Sequence, residues 1–230
     1  MKRYCSITGR HPRLIVIGAS AGGLEALSSI FAALPGNLAA AVVVVSHVGM
    51  RKSMLSDILA RTSALPVRLA EDREPLSAGC ILLAPPNRHV LLRAAARRIT
   101  IELNLGPREH HTRPAIDPLF RSAAAVLGPQ VVGVILSGYL DDGTAGLQAI
   151  KACGGKTVVQ DPADALARSM PQSALDHVAV DWCLPADKIG PLLLALALAM
   201  PPPALCYPLC PQHNVKLAAS FAAAPQRPHE

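Results

Sequence analysis

The chain has 230 residues, a hydrophobic fraction of 51% and a formal net charge of +6 at pH 7. This is enough apolar sequence for one α/β domain with a packed core, and it excludes a chain that is disordered throughout. Aromatic residues make up only 3% of the sequence, which argues against a base-stacking surface for nucleic acid. No apolar run reaches the roughly 18 residues that a membrane-spanning helix needs. We therefore expect a cytoplasmic protein that neither spans a membrane nor binds nucleic acid.

The 6 cysteines are scattered along the chain. They lack the paired C-x-x-C spacing that zinc sites require. We therefore predict free thiols and no metal site.

The predicted elements alternate between strands and helices. Apolar, β-branched runs predict strands, and apolar residues at helical spacing predict helices. The predicted strands are Leu14–Ile17, Ala41–Val45, Pro66–Leu69, Cys80–Leu83, Val131–Leu136, Thr157–Gln160 and Val178–Val180. The predicted helices are Leu24–Leu34, Met54–Arg61, Ile116–Leu127, Ala145–Ala152, a short turn or helix at Ser173–Asp176, and Ala186–Met200. This alternation predicts an α/β fold with a doubly wound, mostly parallel sheet of the Rossmann-like type.

Two further features complete the predicted organisation. Val90–Leu92 and Ile99–Leu103 can pair as a β-hairpin. We expect residues 1–13 to be a lead-in, residues 14–200 to be the folded domain, and the Pro/Ala-rich residues 201–230 to be a disordered tail.

A glycine-rich turn, Gly18-Ala-Ser-Ala-Gly-Gly23, follows the first predicted strand. It places Ser20 between the carboxyl end of a strand and the amino end of a helix, where backbone N–H groups favour negative charge. The first five residues of the turn also fit the G-x-S-x-G pattern of serine hydrolases. A serine that only caps the helix and a dinucleotide-binding loop are alternatives. The dinucleotide interpretation requires an acidic residue after the second strand, where this chain has Ser46 and His47.

Polar side chains directly follow three predicted strands: Ser20, His47 and the pair Asp141-Asp142. Because the carboxyl ends of parallel strands meet at one edge of a sheet, these groups can converge there. A hydroxyl, an imidazole and a carboxylate are what hydrolysis by a serine requires. Adjacent residues point in different directions, so only one of the two aspartates should reach the imidazole. The order Ser–His–Asp disfavours the standard α/β-hydrolase, in which the acid precedes the histidine.

Several motifs, in the same order along the chain, are similar to one known family. They are Gly18-Ala-Ser-Ala-Gly-Gly23, Ser46-His47, Arg113-Pro-Ala-Ile-Asp117, Val134-Ile-Leu-Ser-Gly138, Asp142-Gly-Thr-Ala-Gly146 and Ser169-Met-Pro171. From about Leu14 to about Leu196 the chain resembles the catalytic domain of chemotaxis protein-glutamate methylesterases, the CheB family. The resemblance implies a parallel α/β fold with an added β-hairpin. It also implies removal of methyl groups from glutamate esters on chemoreceptors and, in many members, deamidation of receptor glutamines.

The resemblance also implies which residues form the site. The implied catalytic triad is Ser20, His47 and Asp142. The candidate oxyanion and substrate-binding residues are Ala21, Gly22, Gly23, Arg113, Tyr139 and Met170. No cofactor or metal is implied, and the implied partner is a methylated chemoreceptor-type protein with acidic helices, which the net charge of +6 suits.

The sequence departs from the family pattern at three points. Ala21 stands where the family usually has threonine, and Tyr139-Leu140 stands where it usually has Met-Gly. Family members typically carry an N-terminal receiver domain, whereas here 13 residues precede the first predicted strand. We therefore expect a catalytic domain without a receiver, not gated by phosphorylation in its own chain. The departures keep open a second hypothesis, a non-catalytic interaction module of a signalling complex with the same fold.

Overall fold

A computed structural model describes residues 13–47, 52–95 and 98–199 of the chain. The predicted tail of residues 201–230 and residues 1–12 of the predicted lead-in lie outside the described residues. Within the described ranges, no helix combines the length and the apolar character needed to cross a membrane.

Strands and helices alternate along most of the chain. The strands are β1 (Arg13–Ala19), β2 (Ala40–Ser46), β3 (Val67–Leu69), β4 (Ile81–Leu83), β5 (His89–Ala95), β6 (Arg98–Asn104), β7 (Val131–Ile135), β8 (Lys156–Gln160) and β9 (Trp182–Leu184). The helices are α1 (Gly23–Ala32), α2 (Lys52–Thr62), α3 (Ile116–Leu127), α4 (Thr144–Ala152), α5 (Ser169–His177) and α6 (Ala186–Ala199).

Among the described residues, 7 strands form one sheet in the order β3-β4-β2-β1-β7-β8-β9. Every neighbouring pair in this sheet is parallel. β5 and β6 pair separately as an antiparallel hairpin. The predicted doubly wound α/β fold with an added hairpin is confirmed. The strand order reverses between β1 and β7, which is the point where ligands bind in sheets of this type.

The central strands are buried on both faces. Side chains alternate along a strand, so Val16 packs in one apolar cluster with Phe120 of α3, and Ile17 packs in the other with Phe31 of α1. All four side chains are fully buried. The end of β1, and with it the turn that follows, is therefore held from both sides of the sheet.

The prediction of a last strand at Val178–Val180 is wrong. Val178 instead follows the last residue of α5 and caps the helix, with its N–H donating to the Ala174 carbonyl at 3.0 Å. The edge strand is β9, which pairs with β8. The carboxylate of Asp181, the residue before β9, holds the start of β9 beside β8, because it accepts hydrogen bonds from the N–H and the hydroxyl of Thr157 at 2.9 and 2.8 Å.

Helix α5 begins earlier than the predicted Ser173–Asp176 segment. It starts at Ser169 and includes Pro171. A proline is tolerated in the first turn of a helix because the N–H groups there have no partner within the helix. Pro171 is therefore compatible with the first turn of α5.

Candidate active site

The segments that follow β1, β2 and β7 meet at one edge of the sheet. Ser20 directly follows β1, and its N–H donates to the Ser137 carbonyl at 2.9 Å. His47 directly follows β2, and its N–H donates to the Ala19 carbonyl at 3.1 Å. Asp142 lies in the loop between β7 and α4. The backbone therefore brings the three chain segments together at the switch point of the sheet.

His47 and Asp142 form a direct hydrogen bond. Nε2 of His47 lies 2.9 Å from Oδ2 of Asp142, and the side chains are 12% and 2% exposed. In a neutral imidazole, the nitrogen that donates to the carboxylate carries the proton, and the other nitrogen has a free lone pair. This assignment leaves Nδ1 of His47 to accept a proton. Ser20 is half-buried, and within the described part of the chain its hydroxyl makes no hydrogen bond.

The carboxylate of Asp142 is held by the amino end of α3. Oδ2 accepts the N–H of Ile116 at 2.8 Å, and Oδ1 accepts the N–H of Asp117 at 3.0 Å. Burial by itself would raise the pKa of Asp142, but the hydrogen bonds from His47 and Ile116 outweigh it and hold the pKa below its usual value. Asp142 is therefore ionised and fixed in position beneath His47. Its neighbour Asp141 is 62% exposed and lies near His110.

The turn after β1 is fixed by hydrogen bonds on both sides. The N–H of Gly23 donates to the Ser20 carbonyl at 2.9 Å, so it is already engaged. The oxyanion-hole candidates among the described residues are thus reduced to the N–H groups of Ala21 and Gly22, and Gly22 has a left-handed φ of 74°. Ser137, to which the sequence analysis gave no role, donates its hydroxyl to the Ala21 carbonyl at 2.6 Å. Ser137 therefore holds the turn in place.

Met170 lies in the core near Ser20. It is fully buried. A Cβ built on Gly138 would lie 2.7 Å from Met170 Cε and 2.8 Å from Ser20 Cβ. Gly138 is therefore enclosed between these two side chains. Met170 thus packs inside the fold, and its contact with a substrate stays a prediction, whereas Tyr139 is 66% exposed.

Arg113 is engaged within the protein. Its guanidinium donates to the side chain of Asn87 at 2.8 Å and to the carbonyls of Leu105 and Gly106, also at 2.8 Å. These bonds hold the loop that follows β6 against the start of the hairpin. The expectation that Arg113 contacts substrate gains no support, because its hydrogen-bonding groups already have internal partners.

A second histidine lies close to Asp142. Nε2 of His110 is 2.9 Å from Asp117 Oδ2 and 3.8 Å from Asp142 Oδ1, and Nδ1 is 3.3 Å from Asp141 Oδ1. Burial alone would lower the pKa of His110, but the hydrogen bond to Asp117 and the three acidic charges outweigh it and raise the pKa. Burial, followed by the charge of Asp142, raises the pKa of Asp117. The sequence analysis quoted Asp117 within a motif but assigned no role to either residue.

The ligand atoms of His110, Asp117 and Asp142 lie within 4.8 Å of one another, a spacing that a metal ion could use. Both oxygens of Asp142 already accept N–H groups at the start of α3. Oδ1 of Asp117 accepts the N–H of Gly146 at 2.6 Å. A cation would have to compete with these bonds, so we interpret the cluster as a hydrogen-bond network.

Replacing His110 with glutamine should remove a pH-dependent part of the stability. The folded-state pKa of His110 is raised from 6.5, so its stabilising contribution is fully present below that pH and is lost as the pH rises through the raised value. The difference in Tm between wild type and His110→Gln should therefore be largest below about pH 6.5 and shrink above it. Thermal melts at a series of pH values measure this. His111→Gln, at an exposed neighbouring residue, is the control. A difference in Tm between wild type and His110→Gln that grows with pH would contradict the prediction.

A half-buried hydroxyl and a histidine–carboxylate pair, at the switch point of a doubly wound sheet, are typical of a serine hydrolase. The sequence profile of the CheB methylesterase family matches residues 15–193. The chain belongs to the CheB methylesterase family.

Several known proteins are similar to this chain. A protein-glutamate methylesterase/protein-glutamine glutaminase of Anaeromyxobacter dehalogenans is 40% identical over 186 residues, which cover 80% of this chain and 52% of that protein. A Leptospira interrogans protein provisionally given the same name is 38% identical over 183 residues, covering 79% of this chain and 93% of that protein. The crystal structure of the Thermotoga maritima CheB methylesterase catalytic domain superposes with a TM-score of 0.78 at 34% identity, covering 81% of this chain and 99% of that one. The chain thus spans about half the length of several curated relatives.

Proposed function

We propose that this chain hydrolyses methyl esters of glutamate side chains by a Ser–His–Asp mechanism. Ser20 is the nucleophile, His47 the general base and Asp142 the carboxylate that orients it. The observation that supports this most strongly is the 2.9 Å contact between His47 Nε2 and Asp142 Oδ2. The half-buried Ser20 follows Ala19, whose carbonyl accepts the N–H of His47 at 3.1 Å. Family membership and the names of the relatives support the same activity.

In the first half of the reaction, Ser20 Oγ attacks the ester carbonyl carbon and its proton passes to Nδ1 of His47. Asp142 stabilises the imidazolium through Nε2. The N–H groups of Ala21 and Gly22 stabilise the negative oxygen of the tetrahedral intermediate, an effect of about 3 kcal/mol per donor in well-studied enzymes. The bond to the methoxy oxygen then breaks, that oxygen takes the proton from His47, and methanol leaves.

In the second half, water attacks the acyl-enzyme while His47 Nδ1 takes one of its protons. The bond to Ser20 Oγ breaks, the proton returns to Oγ, and a glutamate side chain is released. With a glutamine substrate the same steps release ammonia in place of methanol. Each step uses groups of the chain and water.

The proposed substrate is a methylated chemoreceptor-type protein in the cytoplasm. The proposal rests on the family and on relatives named for glutamate methylesterase and glutamine glutaminase activity. The net charge of +6 suits a partner with acidic helices.

The experiment is methanol release from a methyl-esterified chemoreceptor fragment, with fluorophosphonate labelling of the enzyme alongside. We expect wild type to release methanol and to be labelled, and Ser20→Ala to do neither. His47→Ala should lose methanol release as well, because nothing then accepts the Ser20 proton.

The matched control is Ser28→Ala, at a half-buried serine within α1. It should keep both signals. If wild type is neither labelled nor active, the interaction-module hypothesis replaces this one. If Ser20→Ala retains full activity, the assignment of the nucleophile is wrong.

A further inference from the structure

Three exposed apolar side chains lie on segments that adjoin the turn that carries Ser20. Among the described residues, 6 large hydrophobic side chains are exposed, and 3 of them belong to segments that adjoin this turn. They are Tyr139, Leu140 and Leu166, exposed by 66%, 65% and 78%, and we call them the apolar rim. A single exposed leucine needs no explanation, but three exposed apolar side chains on the segments next to one hydroxyl indicate a surface that a ligand covers.

The rim adjoins Ser20 through two chain segments. A Cβ built on Gly22 would lie 2.5 Å from Leu166 Cβ, so Leu166 packs against the turn itself. In the second segment, a Cβ built on Gly138 would lie 2.8 Å from Ser20 Cβ, and Leu140 follows two residues later, within about 7 Å of chain. Side chains three or four residues apart on a helix have Cβ atoms about 5–6 Å apart. A helix that presents an ester to Ser20 therefore brings its next turn to the rim.

Leu140 has an unfavourable backbone conformation. Its φ is 65°, in the left-handed region that leucine rarely adopts. Its N–H donates to the Ser169 hydroxyl at 3.1 Å, which fixes the backbone there. Because the side chain is 65% exposed, little internal packing offsets the strain. Strained residues cluster at active sites and ligand-binding segments, so this conformation indicates a functional position.

We propose that the apolar rim binds apolar side chains of the substrate. The substrate is then a protein helix that carries such a side chain three or four positions from the esterified glutamate. This inference rests on the proposed esterase function and names its substrate class more narrowly. A small free ester leaves the rim in water, whereas an amphipathic helix covers it and removes its apolar surface from solvent.

The test uses two helical peptides with the same glutamate methyl ester, one with leucine and one with serine four residues after it. The readout is the ratio of kcat/KM values from methanol release. Wild type should prefer the leucine peptide about tenfold. Leu140→Gly should reduce this preference at least about threefold. It should also raise Tm by about 2 °C, because glycine adopts the left-handed φ without strain.

Two further variants distinguish loss of contact with the substrate from relief of backbone strain at Leu140. Leu166→Ala should reduce the preference without raising Tm, since no left-handed φ is relieved there. Leu198→Ala is the control, because Leu198 is 69% exposed and adjoins Ala197, which contacts Arg13 at the opposite end of β1. It should keep the wild-type preference.

The outcomes distinguish the two proposals. The rim proposal alone is overturned if wild type releases methanol from both peptides without a preference. It is also overturned if the wild-type preference is unchanged in both Leu140→Gly and Leu166→Ala. If the esterified receptor fragment and both peptides yield no methanol, the esterase proposal fails, and this inference fails with it.

Discussion

Replacing Asp142 with asparagine should lower kcat about 10⁴-fold while leaving the protein folded. The carboxylate accepts three hydrogen bonds, from His47 Nε2 and from the N–H groups of Ile116 and Asp117. An asparagine offers one oxygen and one NH₂ group, so it cannot accept all three. If the asparagine oxygen takes the place of Oδ1 and keeps the bond from the Asp117 N–H, the NH₂ group takes the place of Oδ2, faces His47 Nε2 and favours the tautomer with a proton on Nδ1. That tautomer cannot accept the Ser20 proton.

The chain supplies a matched control in the adjacent residue. Asp141→Asn makes the same chemical change at a side chain that is 62% exposed and 3.3 Å from His110 Nδ1. It should lower kcat by less than about threefold, since surface ion pairs contribute little. Steady-state methanol release measures both variants, and thermal melts show whether each is folded. Equal losses in the two variants would contradict the assignment of Asp142.

The edge of the sheet where the site lies could be predicted, because the sequence features that indicate it are local to each strand. Apolar, β-branched runs predict the buried strands β1, β2 and β7, and polar residues lie in the segments that follow them. The topological rule for parallel sheets then places Ser20, His47 and the Asp141-Asp142 pair at one edge. The choice of Asp142 over Asp141 rested on resemblance alone. In the structure Asp142 contacts His47, because two N–H groups of α3 hold its carboxylate beneath the imidazole.

The loop before α3 could not be predicted in the same way. His110 has a left-handed φ of 48°, and no residue pattern in the sequence predicted it. This backbone conformation helps to determine the path of the loop. Arg113 was expected to meet substrate, but its partners are carbonyls of residues 105 and 106 and the side chain of Asn87. These contacts depend on how the hairpin and the loop pack together. Periodicity and spacing carry no information about such packing.

Gly138 is the second position where a small change should have a large effect. Its N–H donates to the Ala167 carbonyl at 3.0 Å and its carbonyl accepts the N–H of Met170 at 2.9 Å, so its backbone cannot easily move. A methyl group there would lie 2.8 Å from Ser20 Cβ, which is closer than real carbon atoms approach. The N–H of Ser20 itself donates to the carbonyl of Ser137, the residue before Gly138. Gly138→Ala should therefore displace the nucleophile, and a displacement of about 1 Å lowers kcat about 10²-fold.

The same methyl group would also meet the Sδ and Cε atoms of Met170, at 2.8 and 2.7 Å. A loss of activity in Gly138→Ala could therefore come from displacement of Ser20 or from overpacking against Met170, and these two causes must be separated. Methionine is flexible, and Met170→Ala removes that contact altogether. If displacement of Ser20 causes the loss, the double variant Gly138→Ala/Met170→Ala stays slow in methanol release and in fluorophosphonate labelling, relative to Met170→Ala alone. If both rates recover, overpacking against Met170 is the cause and Ser20 has not moved. Gly79→Ala is the control. Gly79 has a left-handed φ of 78° and no atom within 4 Å of an added Cβ, so this variant should lose stability and keep kcat.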